Sequence, residues 1–223
     1  LALSLDKPLV GVNHVEAHLM ANLLLEDPPE PPFVALLVSG GHTMLVRVEC
    51  WGDYAVLGRS RDDAVGESFD KVAKMLNLGY PGGPVIEKAA GGGDSRAFHL
   101  PRPMLKDSSL DMSLSGLKTG VLHEVEPLKA SGGLDSARAG LAASFQAAVV
   151  DVLVEKSMRA CRESGASTLI VAGGVARNRA LREAFASRSP EEGVRVVFPA
   201  LSLCTHNSAM IARTFLFQFY NDH

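Results

Sequence analysis

The chain has 223 residues, of which 47% are hydrophobic and 21% charged, a composition typical of a soluble globular protein. Its formal net charge of −3 excludes a generally basic nucleic-acid-binding protein, so any nucleic acid would have to meet a local patch or the surface of a partner. The three cysteines include no Cys-x-x-Cys pair, which excludes a disulfide framework and favours a reducing compartment. No apolar run reaches the roughly 18 residues of a membrane span.

The sequence begins at Leu1, inside an amphipathic segment, rather than at a methionine. We therefore expect the chain to be part of a longer protein whose true N-terminus lies upstream. Targeting signals at that terminus are not in the sequence, so they give no information on localisation.

The first predicted element is a helix that carries two histidines. His14 and His18 are four residues apart, and residues at this spacing lie on one face of a helix, so both imidazoles can reach a single metal ion. Val15, Leu19 and Leu23 recur at helical spacing, which supports the helix. A solvated or structural histidine pair is the alternative interpretation of the same spacing.

A glycine-rich turn between two predicted strands follows. The apolar run 33–38 predicts a buried strand, and the run 44–48 predicts a second one. Ser39-Gly-Gly-His-Thr43 between them is typical of a hairpin turn. Because glycines also let backbone N–H groups approach an anion, the turn predicts either a simple hairpin or a phosphate site. Residues 54–57 predict a third strand.

The next predicted helix contains an acidic residue near its start. Ser68 is the predicted N-cap of a helix that ends at Gly79, which places Asp70 in the first turn, where the helix dipole favours a carboxylate. Tyr80-Pro-Gly-Gly-Pro84 is a second glycine-rich loop, and it opens a short helix that ends at Ala90.

Two longer helices are predicted in the middle of the chain. The first starts within Ser113-Leu-Ser-Gly-Leu-Lys-Thr119 and runs towards Glu126. The second covers about 135–163 and has an apolar face that predicts a contact with the core. The residues of this face are Leu141, Phe145, Val149, Val152 and Met158.

Another predicted strand, 168–172, ends in Gly173-Gly174 and turns into a helix from Asn178 to about Ser187. This arrangement either presents a helix N-terminus to a phosphate or ribose, or is an ordinary connection from strand to helix. Three arginines near this turn could meet phosphate, although the pattern favours a solvated helix face. They are Arg177, Arg179 and Arg182.

The last predicted strand covers 195–198, and a loop leads from it into a helix over 207–219. We interpret the aromatic residues of this helix as core residues. His206 stands at the N-terminus of the helix, beside Cys204 and Thr205.

Three glycine-rich loops at element ends, together with histidines at element ends, indicate a nucleotide site of an α/β protein with a metal beside it. Seven motifs in order also resemble those of the tRNA threonylcarbamoyladenosine transferases of the bacterial TsaD type, once called O-sialoglycoprotein endopeptidases. The motifs cover nearly the whole chain: Asn13-His-Val-Glu-Ala-His18, Leu37-Val-Ser-Gly-Gly-His-Thr43, Gly66-Glu-Ser-Phe-Asp-Lys71, Tyr80-Pro-Gly-Gly-Pro84, Ser113-Leu-Ser-Gly-Leu-Lys-Thr119, Ala172-Gly-Gly-Val-Ala-Arg-Asn178 and Cys204-Thr-His-Asn-Ser-Ala-Met-Ile-Ala212.

The resemblance implies the α/β fold of the actin/Hsp70-like ATPases, which is ribonuclease H-like. Residues 1–30 would then be the terminal helix of a first lobe, and residues 31–223 would form the second lobe. The rest of the first lobe, with its N-terminal phosphate loop, would be missing, as would the C-terminal tail of the family.

The resemblance also implies an activity, the transfer of threonylcarbamoyl from threonylcarbamoyl-AMP to the exocyclic amine of the adenosine 3′ of the tRNA anticodon. It implies one divalent metal ion, iron or zinc, bound by His14 and His18, but assigns no general base. The implied substrate-binding residues are Leu37, Val38, Ser39, Gly40, Gly41, Asp70, Gly83, Glu87 and Asn178.

One departure from the family concerns the metal. Where the family has an aspartate in a Cys-Thr-Asp-Asn motif, this chain has His206, which we expect to be the third ligand. Three imidazoles would favour zinc, iron, copper or nickel over a hard cation. The loss of a carboxylate charge should weaken the binding of the cation and change its pH dependence.

The resemblance implies tRNA, a paralogous actin-like subunit and a small ATPase subunit as partners, and no membrane. We expect a cytoplasmic protein, or a mitochondrial or plastid one if the source is a eukaryote.

Three alternative functions remain open at this stage. The chain could be a catalytically inactive or truncated paralogue that acts as an assembly subunit of the tRNA-modification complex. It could also be an actin-like sugar kinase or ATPase, although these have no reason to carry the histidine pair. A metalloprotease is disfavoured, because Glu16 does not follow the first histidine directly, as the general base of the His-Glu-x-x-His motif does.

Overall fold

A mixed β-sheet is the centre of the fold. The computed structural model describes residues 2–7, 9–201, 203–204 and 208–221. Its strands are β1 (Phe33–Val38), β2 (Thr43–Cys50), β3 (Asp53–Arg59), β4 (Thr168–Ala172) and β5 (Arg195–Val197). The order across the sheet is β3-β2-β1-β4-β5. β2 is antiparallel to both β1 and β3, whereas β4 is parallel to β1 and β5. The sequence prediction of these strands, including the hairpin at the first glycine turn, is confirmed.

Helices cover the sheet and follow the predicted order. They are α1 (His14–Met20), α2 (Val65–Met75), α3 (Gly82–Ala90), α4 (Ser115–Ser131), α5 (Leu134–Ser164), α6 (Arg179–Glu192) and α7 (Ser208–Asn221). Short 3₁₀ turns occur at Leu3–Leu5, Ala21–Leu24 and Gly174–Arg177. The predicted α/β fold class, with helices packed around one mixed sheet, is therefore confirmed.

β1 lies in the middle of the sheet and is buried on both faces, which explains its uninterrupted apolar sequence. Val34, Leu36 and Val38 contribute to the main core, whereas Phe33, Ala35 and Leu37 join a smaller cluster on the opposite face. Successive strand residues point to opposite faces, so six apolar residues in a row serve two cores.

α5 is the central helix of the main core. The five residues predicted to form its apolar face are all buried, as are many of their neighbours. By length and composition α5 could cross a membrane, but 67% of its most apolar stretch is buried inside the protein, as in a core helix. Phe145 of α5 contacts Phe69 of α2 edge to face, with ring centroids 5.1 Å apart. The core thus fixes α2 firmly next to the glycine turns.

The predicted start of α2 is wrong. The helix begins at Val65, and Ser68 is a fully buried residue inside its first turn rather than the N-cap. The backbone N–H of Val65 donates to the hydroxyl of Thr43 at 2.9 Å, and this residue comes from β2. Because the capping oxygen is far away in the sequence, the local pattern could not reveal it. Asp70 consequently lies in the second turn, away from the position where the helix dipole would explain it.

The interpretation of the α7 aromatic residues as core is also wrong. Phe215, Phe219 and Tyr220 are exposed by 37%, 47% and 75%. α7 packs on α1 and on the 3₁₀ turn that follows it, and the buried residues of its contact face are Met210 and Thr214. Only one narrow stripe of the helix is therefore covered by the described part of the chain.

Candidate functional site

A cavity of about 510 Å³ opens where α2 and α3 meet two glycine turns, Ser39–Thr43 after β1 and Gly173-Gly174 after β4. These are called the first and the second glycine turn below. Its size falls in the range of pockets that bind small ligands or nucleotides. The lining combines glycines, apolar side chains, two carboxylates, one amide and one guanidinium. These residues are Gly40, Gly66, Phe69, Asp70, Tyr80, Pro81, Gly83, Pro84, Glu87, Gly174, Val175, Arg177, Asn178 and Leu201.

Five of the nine residues predicted to bind substrate line this cavity, although four of them come from four separate motifs and the fifth lies outside the motifs. They are Gly40, Asp70, Gly83, Glu87 and Asn178. Leu37, Val38 and Ser39 lie instead beside a much smaller space of about 10 Å³, next to His18 and His42. Gly41 is an exposed residue of the same turn as Gly40. The side chains of Leu37 and Val38 are buried in the sheet, so only their backbone could meet a ligand.

Asp70 holds the second glycine-rich loop in place. Its carboxylate accepts a hydrogen bond of 2.7 Å from the backbone N–H of Gly82. A Cβ atom at Gly82 would lie 2.4 Å from the backbone of Phe69, so only glycine allows the loop to approach α2 this closely. The Asp70 carboxylate thus lies at the edge of the cavity, and the Tyr80–Pro84 loop holds one of its oxygens in place.

Glu87 and Asn178 connect the helices around the cavity to one another. The carboxylate of Glu87 accepts a 2.7 Å hydrogen bond from the backbone N–H of Arg179, which links α3 to the start of α6. The Asn178 side chain caps α6 through the N–H of Leu181 at 3.0 Å and donates to Gln146 of α5 at 2.8 Å. Asn178 is 7% exposed, so its amide is rigidly oriented rather than free to move.

Three glycines of the cavity wall leave space that the protein does not fill. Within the described part of the chain, a Cβ atom at Gly40, Gly83 or Gly174 would meet no atom within 4 Å, and none of the three has a positive φ. Neither packing nor backbone conformation therefore requires glycine there. The missing side chains widen the cavity and expose backbone N–H groups, as expected of a wall that contacts a ligand closely.

The first glycine turn is fixed by a dense set of short contacts. The backbone N–H of Ser39 donates to the carbonyl of His42 at 2.8 Å, and the His42 N–H donates back to the Ser39 hydroxyl at 3.0 Å. Gly66 donates its N–H to the Ser39 carbonyl at 3.1 Å. Gly173, with φ of +99°, packs against the carbonyl of Val38. This contact brings the Gly173-Gly174 turn alongside the Ser39–Thr43 turn.

The predicted histidine pair lies near Ser39 and His42 of the first glycine turn. The rings of His14 and His18 have centroids 4.9 Å apart and are nearly perpendicular. His18 is 6% exposed, whereas His14 is exposed. This separation is compatible with one ion bound at about 2 Å from a nitrogen of each ring. His206, the predicted third ligand, lies outside the described residues.

His42 is a histidine that the sequence analysis did not assign to the site. Its ring centroid lies 6.4 Å from that of His14, and it lines the small space next to His18. Within the described residues, no group of three or more His, Cys, Asp or Glu side chains is arranged to hold a metal ion. The described donor set thus consists of two imidazoles, which suits a borderline cation such as iron or zinc.

Glu16 has a structural position in α1. Its carboxylate accepts hydrogen bonds from the hydroxyl of Tyr54 at 2.9 Å and from the side-chain amide of Gln218 at 3.3 Å. It therefore connects α1 to β3 and α7.

The Ser113–Thr119 motif, at the start of α4, is bound to the segment that precedes α2. Asp62 accepts hydrogen bonds from the backbone N–H of Leu114 and the hydroxyls of Ser113 and Ser115. Burial raises the pKa of Asp62, but these hydrogen bonds outweigh burial and leave the pKa below its usual value.

Asp63 forms ion pairs with Lys71 of α2 and Lys118 of α4. Burial raises the pKa of Asp63, but its hydrogen bonds and charge interactions with the two lysines lower the pKa further than burial raises it. Asp63 thereby connects α4 to the helix that carries Asp70.

The comparison with protein families agrees with these motifs. The family model TsaD, described as tRNA N6-adenosine threonylcarbamoyltransferase, matches residues 1–213. The chain belongs to the TsaD family. The resemblance stated from the seven motifs is therefore confirmed.

Curated relatives carry the same description. The chain is 54% identical over 212 residues to the tRNA N6-adenosine threonylcarbamoyltransferase of Paracidovorax citrulli (strain AAC00-1), covering 95% of this chain and 60% of the relative. The enzyme of the same name from Ralstonia pickettii (strain 12J) is 51% identical over 214 residues, 95% of this chain and 62% of the relative. The chain thus spans about three fifths of the length of these TsaD relatives.

Solved structures support the fold of this TsaD-family chain. Full-length HypF in a phosphate- and nucleotide-bound form has a TM-score of 0.68 and 14% identity over 96% of this chain and 37% of its own. The HypF of T. kodakarensis has a TM-score of 0.67 and 14% identity, over 98% of this chain and 38% of its own. At this identity the likeness bears on the fold alone, and it agrees with the ATPase-like α/β fold that the resemblance implied.

Proposed function

We propose that the chain transfers the threonylcarbamoyl group from threonylcarbamoyl-AMP to the exocyclic amine of the adenosine 3′ of the tRNA anticodon. The observation that carries this proposal is the 510 Å³ cavity, where Gly40, Asp70, Gly83 and Asn178 from four separate motifs meet Glu87 of α3. Membership of the TsaD family supports the same activity.

In the proposed reaction, the adenosine amine attacks the carbamoyl carbon of the adenylate. The new N–C bond forms as the bond from carbon to the phosphate oxygen breaks, AMP leaves, and the amine loses a proton. The adenylate is already activated as a mixed anhydride, so the protein needs no covalent intermediate. Its main contributions are to position the two substrates and to stabilise the negative charge that develops on the carbonyl oxygen.

The residues of the cavity suit the nucleotide part of this substrate. Backbone N–H groups of the glycine turns would donate to the phosphate, since glycines at these positions leave the backbone accessible. The carboxylates of Asp70 and Glu87 would accept hydrogen bonds from ribose hydroxyls or the base amine. We also propose that the backbone of residues 37–41 faces the acyl end of the adenylate.

One divalent ion, iron or zinc, fits the two imidazoles of His14 and His18, with His206 as the proposed third ligand. When bound, such an ion would supply a positive charge that polarises the reacting carbonyl group. The histidines themselves would hold the ion at the acyl end of the cavity, next to the Ser39–His42 turn.

The proposed partners follow from the same activity. They are tRNA as the acceptor, a paralogous actin-like subunit and a small ATPase subunit, all in the cytoplasm. We also propose that residues 1–30 belong to a first lobe and residues 31–223 to the second.

The test is a transfer assay with the 223-residue chain, synthetic threonylcarbamoyl-AMP and unmodified tRNA, in which mass spectrometry measures the modified nucleoside. The assay is run with and without the partner subunits. We expect product with the wild-type chain and its partners, and at least tenfold less with Asp70→Ala. If the wild type forms no product but increases the activity of an intact TsaD enzyme, the chain is an assembly subunit and the proposed transferase function is wrong.

A further inference from the structure

Two exposed planar side chains line the 510 Å³ cavity from different elements. Tyr80 comes from the loop that opens α3, and Arg177 comes from the 3₁₀ turn between β4 and α6. Neither residue is needed for packing, since both are exposed. Both turns are nevertheless held firmly, one by the hydrogen bond from Gly82 to Asp70 and the other by the capping contacts of Asn178.

Tyr80 is exposed by 81%, more than most large hydrophobic residues of the chain. Within the described residues its ring packs on no other aromatic ring and its hydroxyl forms no hydrogen bond. An aromatic ring in this position loses little entropy when a flat ligand covers it and gains the burial of its apolar face. It is therefore suited to stack on a planar ligand.

Arg177 differs from the two other arginines near the second glycine turn. Arg179 pairs with Glu183, and Arg182 donates to the Ala176 carbonyl and stacks on Phe198, with 4.5 Å from its guanidinium carbon to the ring centroid. Within the described residues, the guanidinium of Arg177 forms no hydrogen bond or ion pair. It is the arginine of this group that lines the cavity.

The other residues of the cavity indicate which part of a ligand Tyr80 and Arg177 would contact. The glycine turns already offer backbone donors for a phosphate, and two carboxylates suit a ribose or an amine. Phe69, Val175 and Leu201 add an apolar surface, and a flat heteroaromatic ring fits that surface better than an ion does. Guanidinium and phenol planes both stack favourably on a nucleobase.

We propose that Tyr80 and Arg177 clamp the base of the bound nucleotide and make the site selective for a purine. This inference rests on the proposed function, because it takes the cavity as the nucleotide site. It assigns these two side chains as specificity-determining residues that contact the base. A purine offers a larger stacking area than a pyrimidine, so the clamp should discriminate between them.

The test is calorimetric titration of the 223-residue chain with AMP, adenosine and CMP. We expect wild-type protein to bind AMP more tightly than CMP. Tyr80→Ala and Arg177→Ala should each weaken binding of both AMP and adenosine by about 5- to 30-fold and reduce the preference over CMP. Tyr80→Phe should keep the affinity because the ring remains. Arg179→Ala is the matched control and should bind as the wild type does.

The titrations would give a different result if Arg177 contacted the phosphate of the nucleotide rather than its base. In that case Arg177→Ala would weaken binding of AMP but not of the uncharged adenosine, and Arg177→Lys, which keeps the charge but loses the plane, would bind as the wild type does. Either result would overturn the clamp. Unfolding midpoints of the variants are measured alongside, and we expect no change because both side chains are exposed.

The same titrations separate the clamp from the proposed function. AMP binding that Tyr80→Ala and Arg177→Ala leave unchanged would overturn the clamp alone. Base-dependent losses in a chain that transfers no threonylcarbamoyl group, with or without its partners, would support the clamp and contradict the proposed activity. If the wild type binds no nucleotide, both are wrong.

Discussion

Gly66 and Gly40 touch through their backbones, so the first turn of α2 rests directly on the first glycine turn. A Cβ atom at Gly66 would lie 2.8 Å from the Cα of Gly40 and 2.8 Å from the carbonyl oxygen of Ser39. Both neighbours are backbone atoms, which cannot move aside as a flexible side chain can. This contact places the helix that carries Asp70 at a fixed distance from the turn beside the histidines.

Gly66→Ala should therefore destabilise the protein. The added methyl group has to displace the glycine turn or α2, and overpacking of this kind costs about 1–3 kcal/mol. Urea unfolding measures the change in the free energy of unfolding. The matched variant is Gly40→Ala, whose methyl group would meet no atom of the described residues within 4 Å. We expect it to fold with unchanged stability but to bind AMP more weakly, because it fills cavity space. Equal stability of the two variants would contradict this interpretation.

The ion pairs of Asp63 make stability depend on pH. The pKa of Asp63 in the fold lies below its usual value, so the unfolded chain takes up a proton at a higher pH than the folded chain. The stabilising contribution is therefore complete above the unfolded pKa of about 4 and disappears as the pH falls through the folded pKa. Asp63→Asn should lower the free energy of unfolding at pH 7 by about 1–3 kcal/mol, because Lys118 loses its ion-pair partner and Lys71 keeps only its pair with Glu67.

The measurement is a series of urea unfolding curves between pH 7 and pH 3. The slope of stability against pH should be shallower in Asp63→Asn than in the wild type. Asp135→Asn is the control, since Asp135 is largely exposed and its ion pair is with Arg138 of its own helix. A slope of Asp63→Asn that equals the wild-type slope would show that this carboxylate has no special role.

The three cysteines should differ in reactivity. Burial raises the pKa of the Cys161 thiol to about 12 and also raises that of Cys204, whereas Cys50 is exposed. Because the thiolate is the reactive form, a thiol reagent at pH 8 should modify one cysteine quickly and the other two only after unfolding. Cys50→Ser should abolish the fast phase. Rapid modification of Cys161 in the native protein, detected by mass spectrometry, would contradict the burial described here.

The proposed metal site predicts which histidines bind a cation. Calorimetry with Zn²⁺ should give one bound ion for the wild type and none for His14→Ala or His18→Ala. His123→Ala, at an exposed histidine of α4, is the control and should leave binding unchanged. His206→Asp should strengthen binding, because a carboxylate adds the charge that an imidazole lacks. Undiminished binding by His14→Ala would exclude this site.

Much of the fold could be predicted from the sequence because its signals are local. The apolar run of β1 and the repeated apolar face of α5 depend only on residue spacing, and both predictions are confirmed. The start of α2 could not be predicted in this way, since its capping oxygen comes from Thr43 on another element. The α7 aromatic residues show the same limit, because their exposure depends on what packs against the helix.

The candidate site could be predicted only in part for the same reason. The resemblance pointed to Asp70, Glu87 and Asn178, but each of them forms a hydrogen bond to a different element of the fold, which no spacing rule reveals. Arg177 looked like one of several arginines on a solvated face. Only the fold separates it from Arg179, which is paired with Glu183.

The most direct test of the central claim is a calorimetric titration of AMP into wild-type protein, Asp70→Ala and the surface control Asp135→Ala. We expect one AMP per chain for the wild type and for Asp135→Ala. Asp70→Ala should bind at least about tenfold more weakly, because it loses a charged hydrogen-bond acceptor that also fixes the Gly82 loop. Equal AMP binding by wild type and Asp70→Ala, or no binding by the wild type, would contradict the assignment of this cavity as the nucleotide site.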